Sequence, residues 1–283
     1  MPSAFRNFLD AIKFEHTVFA LPFAYVAMVL AADGWPAWLV VVWVTLAMTG
    51  ARTLAMSVNR VADRLLDAAN PRTAARHLPA GLLAPWHMLF AAVVSGALLA
   101  LSAWMLNPLC FKLAPWAALF LIGYSYTKRF TWTSHWILGF TDGIAAAGGL
   151  IAVRGAFELP AFVLWFALTV WIAGFDLIYA CQDVDFDRRA RLHSFPARFG
   201  VAPALGAARV CHLLTVAAFV LLGVATGLGW LYWVGIAVAA GLFVYEHALV
   251  SPDDLSRLDV AFFNVNGYIA VILFAAVLGG RLR

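Results

Sequence analysis

Residues Trp38–Asp67 read WLVVVWVTLAMTGARTLAMSVNRVADRLLD. The stretch opens as a nearly unbroken apolar run and closes on Asn59, Asp63 and Asp67, each four residues from the last. A helix rises about 1.5 Å per residue, so roughly 20 apolar residues cross the hydrocarbon core of a bilayer. Taken as one helix, this stretch crosses a membrane and emerges with a polar face at its end. Runs of the same kind recur along the chain. Nine candidate spans stand out, near 17–33, 37–57, 86–107, 109–126, 135–153, 160–181, 203–226, 229–250 and 261–280. Pro108 and Lys112 sit near the start of the fourth. Lipid offers no hydrogen bonds to the backbone, so spans must be helices or closed barrels. The period-two alternation of a membrane barrel is absent. The expected fold class is therefore an all-α integral membrane protein with nine transmembrane helices.

Composition agrees. Of 283 residues, 64% are apolar and only 12% charged. A soluble domain carries about 45–50% apolar residues and twice that charge. The net charge of +4 restates a bias in the loops and does not point to nucleic acid. With the N-terminus inside, 15 of the 19 Lys and Arg fall on the cytoplasmic side, the exceptions being Lys112, Arg154, Arg281 and Arg283. By the positive-inside rule, this sets the expected orientation: a multi-pass protein of a bacterial-type inner membrane, N-terminus cytoplasmic. Before the first span, Phe5, Phe8, Leu9 and Ile12 share one helical face, which suggests that residues 1–15 form an interfacial amphipathic helix. The inner connections, about 59–85, 127–134, 183–202 and 251–260, hold nearly all the polar residues. Loops of such unequal character place function on one face.

Four residues advance a helix by about 400°, so Asn59, Asp63 and Asp67 lie on one face. Like charges at that spacing repel, and Arg60 and Arg64, each three residues before an Asp, offer a purely structural counter-charge. The second acidic stretch, Asp176–Asp187, reads DLIYACQDVDFD. Asp183 and Asp187 fall seven and eleven residues after Asp176, each within ~20° of its line, and Tyr179 flanks the stripe. Asp185 falls on the opposite side if the helix continues. A carboxylate in or beside an apolar span is costly and marks function. Two such stripes suit Mg²⁺, which takes oxygen ligands and commonly joins carboxylates to phosphates. Arg64, Arg72 and Arg76, then Lys128 and Arg129, then Arg188 and Arg189 lie close by for phosphate charge. The positive-inside bias alone accounts for many basic residues in such loops.

The segments NRVADRLLD with NPRTAARHLPAG, then YSYTKRFT, then DLIYACQDVDFD resemble the signatures of the UbiA superfamily of intramembrane aromatic prenyltransferases. The resemblance covers nearly the whole chain, as one domain over 1–283. The finer texture of ARTLAMSVNR and AFFNVNGYIAV is similar to the MqnP branch, the 4-hydroxybenzoate-type polyprenyltransferases of menaquinone synthesis. The resemblance implies nine helices around a central cavity open to the cytoplasm. It implies Mg²⁺-dependent transfer from a polyprenyl diphosphate to a small aromatic acid of the hydroxybenzoate or dihydroxynaphthoate type, in menaquinone synthesis. The alternative is the 4-hydroxybenzoate enzyme of the ubiquinone pathway. By the same resemblance, Asp63, Asp67, Asp183 and Asp187 hold the metal, and Asp176 joins them in the catalytic set. Asn59, Arg64, Arg72, Lys128, Arg129 and Tyr179 face substrate.

Arg52 lies seven residues before Asn59, on nearly the same face and ~10 Å deeper. It is either a snorkelling Arg or the bidentate anchor of an acceptor carboxylate. Glu15 and His16 either line the acceptor pocket or form an interfacial polar pair. Asp142, inside the fifth span, is left out of the catalytic set. His77, His87, His135, His193, His212 and His247 show no metal-ligand spacing. A secondary transporter would gather its polar residues near the bilayer midplane on broken helices; here they gather at helix ends. A diphosphate-binding protein without catalysis is disfavoured by the intact acidic motifs.

Overall fold

A computed structural model describes the backbone of residues 4–13 and 15–281 and the side chains of 5–13 and 21–281. Readings that touch Glu15, His16 and Arg283 fall outside the described side chains. The helices are α1 (Ala4–Ala11), α2 (Glu15–Ala32), α3 (Trp38–Ala69), α4 (Pro85–Leu106), α5 (Pro108–Thr127), α6 (Ser134–Arg154), α7 (Leu159–Ala180), α8 (Val184–Arg189), α9 (Phe195–Phe199), α10 (Val201–Thr226), α11 (Trp230–Ala248) and α12 (Asn266–Arg281). A 3₁₀ turn, Cys181–Asp183, joins α7 to α8, and a π-helical turn, Val260–Val265, leads into α12. Eight helical stretches are long and apolar enough to cross a membrane, and Leu21–Ala32 is a shorter apolar one. Among the described residues, the eight match the second to ninth expected spans, and the shorter Leu21–Ala32 stands where the first was expected. Pro108 opens α5 rather than breaking it, and the Asn107 side chain accepts the Cys110 N–H (2.9 Å), capping the new helix. Large apolar side chains such as Trp86, Phe90, Val93, Leu213, Val224 and Val244 stand outward. On a protein in water they would form aggregation-prone patches; on a multi-pass membrane protein they meet lipid.

The chain groups into two compact units. The first comprises residues up to Leu21 and Val42–Tyr126. Here Leu54 and Ala55 of α3 pack with Ala92 and Leu99 of α4 and Leu121 of α5. The helices approach closely because Gly50 lies against the α4 backbone, where a Cβ would come within 2.8 Å of Ser95 O. α1 also belongs to this unit. Ala11 and Ile12 are buried with Leu83 and Met88, and Phe8 joins them, while Phe5 stays 70% exposed. The face read as interfacial is thus used in large part for packing. Arg60 Nε donates to Ala11 O (2.8 Å), satisfying a carbonyl that the end of α1 leaves open.

The second unit comprises Pro22–Val41 and Thr127–Arg283. Its centre is α7, where Leu164, Leu168, Trp171, Leu177 and Ile178 are almost wholly buried, with α6 and α10 packed alongside. Gly139 and Gly143 of α6 lie so near Thr169 and Trp165 of α7 that a Cβ at either would collide. Trp165 Nε1 crosses to Phe140 O (2.8 Å). The π turn before α12 is held by one side chain. Asn266 Nδ2 donates to Ala261 O and Phe262 O (both 3.1 Å) and to Glu246 Oε1 (3.0 Å), and Asn266 Oδ1 accepts from Trp171 Nε1 (2.6 Å). A π turn misaligns helical carbonyls, and the amide supplies donors for two of them.

Candidate active site

The first acidic stretch sits on the last three turns of α3. Asp63 and Asp67 are buried, and Asn59 Nδ2 donates to Asp63 Oδ2 (3.2 Å), as the four-residue phase predicts. The helix stops at Asn70–Pro71. Pro71 cannot continue it, and Asn70 Oδ1 takes the Arg72 N–H (3.0 Å) as an Asx turn. Thr73 Oγ1 then reaches back to Asp67 O (3.1 Å), folding the loop onto the helix end. That fold brings Arg76 Nη1 to Asp67 Oδ1 at 2.7 Å. So Asp67 is paired from the loop, nine residues on, rather than by Arg60 or Arg64. Arg60 is committed to Ala11 O, and Arg64 is exposed and donates to Val61 O on its own helix (3.0 Å). Arg72 is also exposed. Asp67 Oδ2 is buried with no hydrogen-bond partner. Two turns deeper than Asn59, Arg52 Nε is likewise buried and unpartnered.

The second stretch departs from its expected geometry. The single helix expected through Asp187 tightens into the 3₁₀ turn at Cys181–Asp183 and resumes as α8. Three residues at three per turn rotate α8 by roughly 60° beyond its phase in a continuous α-helix. The ~20° alignment of Asp187 with Asp176 is therefore lost. Asp187 is nevertheless buried and Asp185 exposed, so their difference in environment stands. The following loop ties the end of α8 to its surroundings instead. Arg191 adopts a left-handed turn (φ 54°), and three bonds come in succession after it. Leu192 N–H meets Asp187 O (2.8 Å), His193 N–H meets Lys128 O (2.7 Å), and Phe195 N–H meets His135 Nε2 (3.2 Å). Asp183, Lys128 and His135 all lie within electrostatic reach of Asp187. Trp132, Trp136, Phe195 and Phe199 pack edge to face beside this loop, at 5.5–6.1 Å between ring centres.

His135 Nδ1 lies 2.6 Å from Asp176 Oδ2, a contact sequence reasoning did not foresee. The two are 41 positions apart on different helices, so no local spacing could have announced it. Tyr179 lies against Phe262 of the π turn, with ring centres 4.2 Å apart and planes tilted by 30°, and Phe175 meets Phe262 edge-on at 5.2 Å. Lys128 and Arg129 are half-buried at the start of the loop after α5.

These residues fit a hard divalent cation. Among the described residues no three carboxylate, imidazole or thiol side chains already converge as a closed metal cage. Mg²⁺ does not need one, since it keeps water and takes phosphate oxygens beside one or two carboxylates. A buried carboxylate oxygen without a partner, such as Asp67 Oδ2, is costly unless a cation or donor completes it.

Apolar spans with buried carboxylates at helix ends and basic loops beside them are features of an intramembrane enzyme. The chain belongs to the UbiA prenyltransferase family, whose model matches residues 20–268. A 4-hydroxybenzoate octaprenyltransferase of Paraburkholderia phytofirmans is 31% identical over 252 residues, covering 89% of this chain and 87% of that protein. Its counterpart in Vibrio campbellii is 32% identical over 256 residues, 89% and 88% of the two chains. Among solved structures, the apo UbiA homolog of Aeropyrum pernix superposes with a TM-score of 0.86 at 32% identity, over 94% of this chain and 98% of that one. A UbiA homolog of Archaeoglobus fulgidus bound to GPP and Mg²⁺ shares the fold, with a TM-score of 0.67 at 17% identity over 96% and 99%. The relatives' names favour the 4-hydroxybenzoate alternative over the menaquinone branch suggested by sequence texture.

Proposed function

We propose that this prenyltransferase moves a polyprenyl group from a polyprenyl diphosphate onto the ring of 4-hydroxybenzoate, in ubiquinone-type quinone synthesis. The observation that carries the reading is the pair of charged atoms left open on α3, the carboxylate oxygen Asp67 Oδ2 and the guanidinium nitrogen Arg52 Nε. One suits a cation-bound diphosphate and the other an acceptor carboxylate. Similarity at 31–32% identity to 4-hydroxybenzoate octaprenyltransferases supports the choice of acceptor.

Asp63 and Asp67 on the first stretch and Asp183 and Asp187 on the second are the candidates to bind Mg²⁺, and Asp176 belongs to the same catalytic set. When bound, the ion neutralises charge developing on the leaving diphosphate. Asn59 fixes the rotamer of Asp63, and Arg76 that of Asp67. Arg64 and Arg72 beside the first stretch, and Lys128 and Arg129 near the second, would add positive charge toward phosphate. The allylic C1–O bond breaks and its electron pair leaves with diphosphate. The Tyr179 face, backed by Phe262, stabilises positive charge on the allyl carbon. The ring carbon ortho to the phenol hydroxyl attacks C1, because the carboxylate occupies the para position. Transfer of the ring proton to the departing diphosphate restores aromaticity. The surrounding apolar side chains keep water from capturing the cation.

The test is a transfer assay with purified protein, Mg²⁺, several prenyl diphosphates, and 4-hydroxybenzoate beside 1,4-dihydroxy-2-naphthoate. Prenylated 4-hydroxybenzoate is expected, and chelating the metal should stop its formation. Turnover of the naphthoate alone would overturn the assignment of the acceptor.

The reading also places the acidic helix ends on the cytoplasmic side. In a variant without Cys110, Cys181 and Cys211, Ala74→Cys should resist an impermeant thiol reagent in intact cells. Glu158→Cys should react. Both positions are exposed, so access to the reagent depends on sidedness. The reverse pattern would invert the topology.

A further inference from the structure

We propose that His135 is a positioning residue for Asp176 in prenyl transfer, an inference that rests on the functional reading above. The imidazole is buried, with 5% of its side chain exposed, against 23% for Asp176. Both ring nitrogens are engaged. A main-chain amide can only donate, so the bond from Phe195 N–H makes His135 Nε2 the acceptor. The single ring proton then sits on Nδ1 and points at Asp176 Oδ2, 2.6 Å away. His135 is therefore held as a neutral donor of fixed tautomer and fixed direction.

One consequence is a carboxylate with unequal oxygens. Asp176 Oδ2 is taken by His135, while the side chain as a whole stays 23% exposed. The terminal torsion of an Asp is broad and roughly two-fold. Without the imidazole the carboxyl group would turn freely and present either oxygen. With it, the carboxyl group is held in one orientation through Oδ2. The lock on the imidazole comes from the same loop that brings Lys128 to the Asp187 segment, through Leu192, His193 and Phe195. His135 therefore registers Asp176 of α7 against Lys128 and the Asp187 segment, which that loop ties together. Outer partners of this kind typically change activity by 10–100-fold when lost.

Two substitutions separate positioning from bulk structure. His135→Asn keeps an amide N–H near the place of Nδ1, so it can still donate to Asp176. His135→Gln puts its amide near the place of Nε2 and leaves Asp176 without its donor. We expect His135→Gln to lower kcat by about 10–100-fold, with the acceptor KM and the melting temperature nearly unchanged. His135→Asn should recover most of that loss. Equal losses in the two variants, or losses that track the melting temperature, would overturn the proposal and leave His135 as an anchor for the Phe195 helix alone. In the wild-type protein, the imidazole ¹⁵N signals of His135 should report the Nδ1–H tautomer. The Nε2–H tautomer would refute the proposal without any variant having to fold. A wild type that prenylates no aromatic acid defeats the functional reading itself. A working wild type beside indistinguishable Asn and Gln variants defeats only the role of His135.

Discussion

Asp67→Asn will abolish prenyl transfer while the protein stays folded, a loss on the order of 10³-fold or more. The substitution is chosen for what it preserves. Asp67 Oδ1 accepts from Arg76 at 2.7 Å, and the amide oxygen of Asn accepts in the same place. The loop fold survives as well, because Thr73 bonds the main chain of residue 67 and not its side chain. What disappears is negative charge at the buried, unpartnered Oδ2. If that oxygen served only the fold, neutralising it would cost little, since an unpaired buried carboxylate is itself a liability. Loss of turnover without loss of melting temperature therefore separates a ligand role from a structural one. Asp183→Asn should behave alike. Asp185→Asn should stay within about threefold of wild type, the range of an exposed substitution away from the chemistry, because its carboxylate faces solvent. Equal losses at Asp183 and Asp185 would mean that the two are not distinguished by environment, and the assignment of the second stretch would fail.

The contrast between those two stretches shows what the sequence made legible. Eight of the nine expected spans could be read directly, because lipid forces helices and helices of known length. The Asn59–Asp63 contact could also be read, because four residues along one continuous helix fix phase. Phase stopped being a guide wherever the helix stopped. The 3₁₀ turn after Ala180 carries no Pro or Gly to announce it: CQD reads as helix by composition. The partner of Asp67 was legible as a type, a nearby Arg, but not as Arg76. Choosing it required the Asn70–Pro71 stop and the Thr73 bond that fold the loop back. His135 was dismissed for want of ligand spacing, and rightly as a local motif. Its role depends on α6 and α7 lying so close that Gly139 and Gly143 admit no side chain. Those glycines were the available signal, since small residues recurring at four-residue spacing in a span mark a tight helix contact. They pointed to the packing, not to the hydrogen bond it permits. α1 was legible as an amphipathic helix but not in what it packs against. Its apolar face was visible, but Leu83 and Met88, which cover it, come from a distant loop and helix start.

Arg52→Lys is expected to raise the KM for the aromatic acid by about 10–100-fold, the equivalent of roughly 1.4–2.8 kcal/mol, and to leave affinity for the prenyl diphosphate nearly unchanged. Arg52 sits on the Asn59 side of α3, two turns nearer its apolar half, and its Nε is buried without a hydrogen bond. A buried guanidinium nitrogen in that state has lost its water and gained nothing, unless an anion completes it. The nearest acidic residues on the helix, Asp63 and Asp67, lie three and four turns further on. A carboxylate supplied by the acceptor matches the fork of the guanidinium with two parallel hydrogen bonds. Lys keeps the charge but offers a single point in place of that fork. The penalty should therefore fall on the acceptor and on orientation, not on the net charge that holds diphosphate. An acceptor analogue without the carboxylate, such as phenol, should bind poorly to the wild type and lose little more in the variant. Direct binding of a non-hydrolysable prenyl diphosphate, measured beside acceptor kinetics, separates the two substrates. Weakened donor binding with an unchanged acceptor KM would move Arg52 to the diphosphate, and the acceptor anchor would then have to come from another basic side chain.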